Sequence, residues 1–160
     1  MKTIISLAAA AAAISLAGAA SAADFVTINL ETSVNAPAAE AWKKVSGYCT
    51  IGAWFKTTCE ITSGKDGEVG AVRVIAGRVT EVLVASTPWS YTYSQPKSPI
   101  DYHGTLQIQP VDAKSSKLVY TLVYDAAALP DPSKKDADIK GRTAQFTGLL
   151  ATIKAAAEAK

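Results

Sequence analysis

Histidine is almost missing from these 160 residues, and His103 is the only one. A catalytic triad would rest on that single imidazole, and a metal centre would need further ligands around it. Cys49 and Cys59 are the only cysteines, and their spacing is not the C-x-x-C of a redox enzyme. No G-x-S-x-G elbow, H-E-x-x-H helix, P-loop or strand-borne G-x-G-x-x-G occurs. Gly64, Gly67 and Gly70 read as parts of a hairpin, not as a phosphate cradle. Charge is scarce as well, with 16 Lys and Arg against 14 Asp and Glu. Without a basic cluster a phosphate backbone finds too few cationic partners, so nucleic acid is not an expected partner. The sequence calls for no cofactor and no metal.

What is present begins with an export signature. Lys2 supplies a short positive start, Ile4 to Leu16 an apolar run, and Ala19-Ala20-Ser21-Ala22-Ala23 the small residues before Asp24. That order is the order of a cleaved secretory signal. The cut is expected after Ala22, with Ala23 as the alternative, giving a signal over 1–22 and one domain over 23–160. A membrane anchor is the competing reading, but the run falls short of the roughly 20 residues a span needs. No later run approaches that length, so no integral membrane segment is expected after cleavage. Removing the signal takes Lys2 with it and leaves the remainder near neutrality. The expected location is periplasmic or secreted. In an oxidising compartment two thiols more often pair than bind metal, so Cys49 and Cys59 are read as a structural disulfide, with free thiols as the alternative.

Phe25 to Val34 alternates, with Val26, Ile28 and Leu30 on one side, and predicts a strand. Asn35-Ala36-Pro37 breaks it, and Ala38 to Val45 supplies helix formers. A second short helix is expected around Trp54 and Phe55, and a strand from Cys59. The Asp66-Gly67 pair suggests a tight hairpin. Strands then follow over Gly70–Ala76, Arg78–Ala85, Trp89–Ser94, Asp101–Gln109 and Lys117–Asp125. A closing helix is expected over about 136–158, where Ile139, Arg142, Phe146, Leu149, Leu150 and Ile153 form one stripe. Hairpin-linked strands followed by a helix make an α+β layer fold. The economical arrangement is a helix-grip: a curved antiparallel sheet of about six or seven strands around one long helix. An internal cavity is the expected consequence.

The chain resembles the START/Bet v 1-like (SRPBCC) superfamily, in its polyketide cyclase/dehydrase and lipid-transport branch. The resemblance is carried by Val34-Asn35-Ala36-Pro37, Ala41-Trp42, Gly52-Ala53-Trp54, Gly70 to Arg73 and Glu81 to Leu83. It continues through Tyr91-Thr92-Tyr93, Pro96, Tyr102-His103-Gly104, Leu118 to Tyr120 and Tyr124. It covers nearly all of 23–160 and implies a helix-grip cavity for lipids, sterols, polyketides or other largely apolar molecules. One exported relative is similar to a periplasmic accessory protein of methanol oxidation, which implies a periplasmic protein partner as a further option. The cysteine pair lies outside the pattern, and the chain lacks a recognisable acid/base signature of a working cyclase.

Strand alternation decides which side chains face the cavity. Arg73 shares a face with Ala71 and Ile75, and Glu81 with Val79 and Leu83. They read either as an anchor for a polar ligand head or as a structural ion pair. Trp89, Tyr91 and Tyr93 share a face, as do Tyr102, Leu106 and Ile108, and Tyr120 with Tyr124. A tyrosine offers an apolar body and one hydroxyl, which suits an amphipathic guest, although core packing explains any single one. Arg142 either meets the guest or snorkels to the surface. Trp54 lines an entrance or packs, Phe146 belongs to the helix stripe, and His103 falls out of phase and points outward. The candidate ligand-binding set is therefore Trp54, Arg73, Glu81, Tyr91, Tyr93, Tyr102, Tyr120, Tyr124, Arg142 and Phe146. The expected function is a carrier for a small, largely apolar ligand. The alternatives are a cyclase or dehydratase using Glu81, Tyr102 or His103, and an accessory protein docking on a periplasmic redox enzyme.

Overall fold

The computed structural model describes residues 22–159. The expected signal over 1–22 lies almost wholly outside them. Seven antiparallel strands form one sheet: β1 (Phe25–Val34), β2 (Cys59–Ser63), β3 (Val72–Ile75), β4 (Val79–Thr87), β5 (Ser90–Ser94), β6 (His103–Pro110) and β7 (Ser116–Asp125). Their spatial order is β1-β7-β6-β5-β4-β3-β2. The first strand therefore pairs with the last, Phe25 opposite Asp125 through Val34 opposite Ser116. Two short helices, α1 (Ala38–Val45) and α2 (Ile51–Phe55), carry the chain from one sheet edge to the other. The long helix α3 (Lys135–Glu158) lies against β1, β7, α1 and α2. This is the helix-grip arrangement expected from the order of elements.

Period-two alternation is realised strand by strand. Val26, Ile28 and Val34 of β1 are buried, as are Leu106 and Ile108 of β6 and Leu118, Tyr120, Leu122 and Tyr124 of β7. Their neighbours face outward, as a sheet wet on one side requires. In α1, Ala38, Ala41 and Val45 form the buried stripe. The stripe of α3 changes character along its length. Leu150, Ile153 and Ala157 are fully packed, whereas Ile139, Phe146 and Leu149 are half-buried. The C-terminal half of the helix fills the core, and the N-terminal half stands over a void.

Two local expectations are corrected. Thr87-Pro88 does not precede a strand starting at Trp89, because Pro88 and Trp89 form the β4–β5 turn and Trp89 is exposed. Asp66-Gly67 does not make a two-residue hairpin either. Residues 64–71 form a wider loop, and the Asp66 carboxylate accepts the Tyr48 backbone N–H at 2.8 Å, tying that loop to the α1–α2 junction. The tight hairpin is instead Ala76-Gly77, both at positive φ (52° and 68°), as a primed turn between twisted strands requires.

Cys49 and Cys59 are joined by a disulfide, with Cα atoms 5.5 Å apart. It fastens the start of α2 to the edge strand β2. Among the described residues no helix is long and apolar enough to cross a membrane.

Candidate functional site

Between the N-terminal half of α3 and the concave face of the sheet lies a cavity of about 820 Å³. Its rim is built by the end of α2 (Phe55, Thr57), the β3–β4 turn (Ile75 to Val79), the β5–β6 loop (Gln95 to Ile100) and Leu129-Pro130. Non-glycine residues at positive φ stand in the first two of these segments, Lys56 and Ala76, and directly after the third, Asp101. Such backbone is uncommon outside glycine and is held only where the surroundings dictate it.

The inner wall is supplied by alternate residues of β4, β5 and β7 and by Tyr102, just before β6. Glu81, Tyr93, Tyr102 and Tyr120 line it, and α3 adds Arg142 and Phe146. Phe146 packs on both sides of this group, with ring centres 5.5 Å from Tyr120 and 6.5 Å from Tyr102. The Tyr93 and Tyr120 hydroxyls are 2.6 Å apart. Burial pushes the phenols of Tyr93, Tyr102 and Tyr120 above their ordinary values, so all three stay protonated donors at neutral pH.

Arg73 does not line this cavity. It is 1% exposed and lies behind the wall, its Nε 2.8 Å and its Nη2 2.5 Å from Glu81 Oε2. Its Nη1 donates to the Tyr48 carbonyl. The guanidinium lies 4.0 Å from the centre of the Tyr48 ring, 5.2 Å from Tyr93 and 5.9 Å from Tyr91. Aromatic faces offer a cation a favourable electrostatic surface in place of water. Burial alone would lower the Arg73 pKa, but its phenolic and carboxylate neighbours outweigh that and hold it raised. Glu81 Oε1 accepts from Gln95 at 2.9 Å, so both carboxylate oxygens are engaged.

Arg142 does face the cavity, but it is paired. Its Nε lies 2.7 Å from Asp138 Oδ2, which also accepts the Tyr124 hydroxyl at 2.6 Å. Burial would raise the Asp138 carboxyl, but these two hydrogen bonds prevail and hold it below its usual value. Burial and that carboxylate together push the Tyr124 phenol up to about 12. Tyr124 itself supports Asp138 from outside the cavity lining. Trp54 packs against the core from α2, and Tyr91 faces a separate pocket of about 210 Å³ with Trp42 and Tyr48. His103 sits outside the cavity, its Nδ1 3.0 Å from the Asp101 carbonyl oxygen.

Of the ten candidates, then, six line one cavity: Glu81, Tyr93, Tyr102, Tyr120, Arg142 and Phe146. Sequence reasoning missed Asp138, Gln95 and Tyr48. The four-residue spacing of Asp138 and Arg142 on a helix could have indicated the first. Tyr48 stands in an irregular turn, where no periodicity marks it. Among the described residues no group of His, Cys, Asp and Glu could hold a metal ion.

The family model described as polyketide cyclase / dehydrase and lipid transport matches residues 26–158. The chain belongs to that family, as its START/Bet v 1-like sequence features indicate. No curated protein matches it. A solved structure from Nitrosospira multiformis is similar at 21% identity and TM-score 0.68, covering 81% of this chain and 94% of its own. One from Thermobifida fusca is 24% identical with TM-score 0.61, covering 82% and 95% respectively. The Zhui aromatase/cyclase from a Streptomyces species is 19% identical with TM-score 0.64, covering 84% and 94%. At these identities the likeness is one of fold.

Proposed function

We propose that this family member is an exported carrier that holds a small, largely apolar ligand between α3 and the sheet. The observation that carries the reading is the cavity of about 820 Å³, whose wall combines apolar and aromatic side chains with polar ones such as Glu81, Gln95 and Arg142. That is the composition expected of a small-molecule site. Burial of the guest's apolar surface, about 25 cal/mol per Å² before ordering costs, supplies the affinity. The inward hydroxyls set its orientation. Proton transfer is less well served, because Glu81 is already engaged by Arg73 and Gln95. The disulfide and the sequence features of 1–22 support export.

Native mass spectrometry of the protein isolated from the exported fraction of its source tests the reading. The expected result is a one-to-one adduct that organic solvent removes. A protein that carries no guest, and takes up none from a total lipid extract, overturns it.

A further inference from the structure

The cavity wall holds three phenols that share a single hydrogen bond. Tyr93 and Tyr120 share one hydrogen bond of 2.6 Å, so one donates and the other, while accepting, keeps a proton of its own. The Tyr102 hydroxyl has no partner among the described residues. Tyr93, Tyr102 and Tyr120 are only 3%, 3% and 5% exposed. Three donors with one bond among them leave two O–H groups without an acceptor at a single place on the wall. Buried polar groups are normally paired, and an unpaired set beside a cavity marks what the occupant must bring.

The cluster is held in position by its neighbours. Tyr93 pairs across the strands with Gly104, and a Cβ at Gly104 would fall well inside contact distance of the Tyr93 ring and hydroxyl. Glycine thus leaves the space through which the Tyr93 hydroxyl reaches Tyr120. Phe146 packs on Tyr102 and Tyr120 from α3. The charges nearby are committed: Arg73 to Glu81, and Arg142 to Asp138. An anionic ligand group at this cluster would meet the Glu81 carboxylate, and Arg78, the lining cation outside these ion pairs, stands in the exposed β3–β4 turn at the rim.

Resting on the carrier reading, we propose that the guest presents an uncharged carbonyl oxygen to Tyr102 and the Tyr93–Tyr120 pair. A ketone or ester carbonyl has two lone pairs and no proton, so it accepts both free O–H groups and adds no donor. Its apolar remainder lies along Ile75, Val79, Leu129 and Leu149.

Competition against the neutral fluorophore phenylnaphthylamine tests this with three ligands of equal carbon count: methyl nonyl ketone, undecane and undecanoate. The ketone is expected to bind about tenfold tighter than undecane and tighter than undecanoate, the size of one good hydrogen bond. Tyr102→Phe removes an unpartnered hydroxyl, so folding is not at stake. It should cut the ketone's advantage several-fold and leave undecane unchanged, and Tyr120→Phe should do the same. Equal binding of ketone and undecane overturns the carbonyl proposal while the carrier reading stands. Tighter binding of undecanoate overturns it in favour of an acid ligand. If neither the fluorophore nor any of the three binds, the carrier reading fails and takes this proposal with it.

Discussion

Arg73 and Glu81 are register partners across β3 and β4, and their side chains form an ion pair 1% and 4% exposed. The pair stands between the two voids, with Glu81 lining the larger, and Tyr48 and Tyr91, beside Arg73, lining the smaller. Taking both charges out of water costs several kcal/mol, which mutual attraction and extra hydrogen bonds offset only when the geometry is good. Here Gln95, the Tyr48 carbonyl and three aromatic faces complete it.

Arg73→Met should therefore cost about 3–5 kcal/mol, because it leaves Glu81 buried without its partner. The double variant Arg73→Met, Glu81→Leu should recover most of that loss. Urea unfolding of the two variants checks it. A single variant as stable as the parent would mean that water already reaches Glu81.

The disulfide closes a short loop that contains the whole of α2, whose Ile51 and Phe55 line the cavity. Replacing both Cys49 and Cys59 by Ser should lower stability by about 2–3 kcal/mol, the loop-closure entropy returned to the unfolded chain. The denaturation midpoint should fall and the slope rise slightly, because the unfolded chain without the cross-link exposes more surface. A guest should also leave faster, since α2 is then joined to β2 only through the intervening chain.

Strand alternation in β1, β5, β6 and β7 carries enough information to place the inner face, because each strand is wet on one side. Tyr93, Tyr102 and Tyr120 were legible for that reason, and the helix spacing of Arg142 and Phe146 likewise. The rest depends on contacts between distant segments. Trp89 continues the Tyr91, Tyr93 alternation on paper, but the Thr87-Pro88 turn extends through it and leaves it exposed. Arg73 shares the inner face yet lies behind the wall, because Tyr48, from a turn 25 residues earlier, accepts its Nη1 proton and stacks on it. No local pattern encodes that meeting.

At the cavity rim, Ala76 adopts φ 52° beside Gly77, in an exposed turn whose backbone suits Asn-Gly better. A left-handed conformation costs an ordinary L-residue roughly 1–2 kcal/mol, and less for asparagine. Ala76→Asn should raise stability by about 0.5–1 kcal/mol in thermal unfolding. An unchanged or lower midpoint would show that the side chain meets the rim.

Gly104 makes the opposite case, since its φ is ordinary and only space is at issue. Gly104→Ala should push the Tyr93 ring away and cost about 1–3 kcal/mol through overpacking. The Tyr93–Tyr120 hydrogen bond should break with it, exposing phenol to the cavity. A crystal structure of the variant with Tyr93 unmoved would contradict this account of the close approach.

Alkaline pH probes all six tyrosines of the chain at once. Burial raises the phenols of Tyr48, Tyr91, Tyr93, Tyr102 and Tyr120, and burial with Asp138 brings Tyr124 to about 12. In the unfolded chain a phenol titrates near about 10. The folded protein thus holds these protons more tightly than the unfolded one. The stability this contributes is complete below about pH 10 and is lost as pH rises beyond it. Phenolate absorbance and far-ultraviolet circular dichroism should therefore change together in one steep step above pH 10. Tyrosines ionising while the dichroism holds would reveal hydroxyls that water reaches through the cavity. Tyr102, unpartnered on that wall, would be the first to look for, and its loss from the early phase in Tyr102→Phe would identify it.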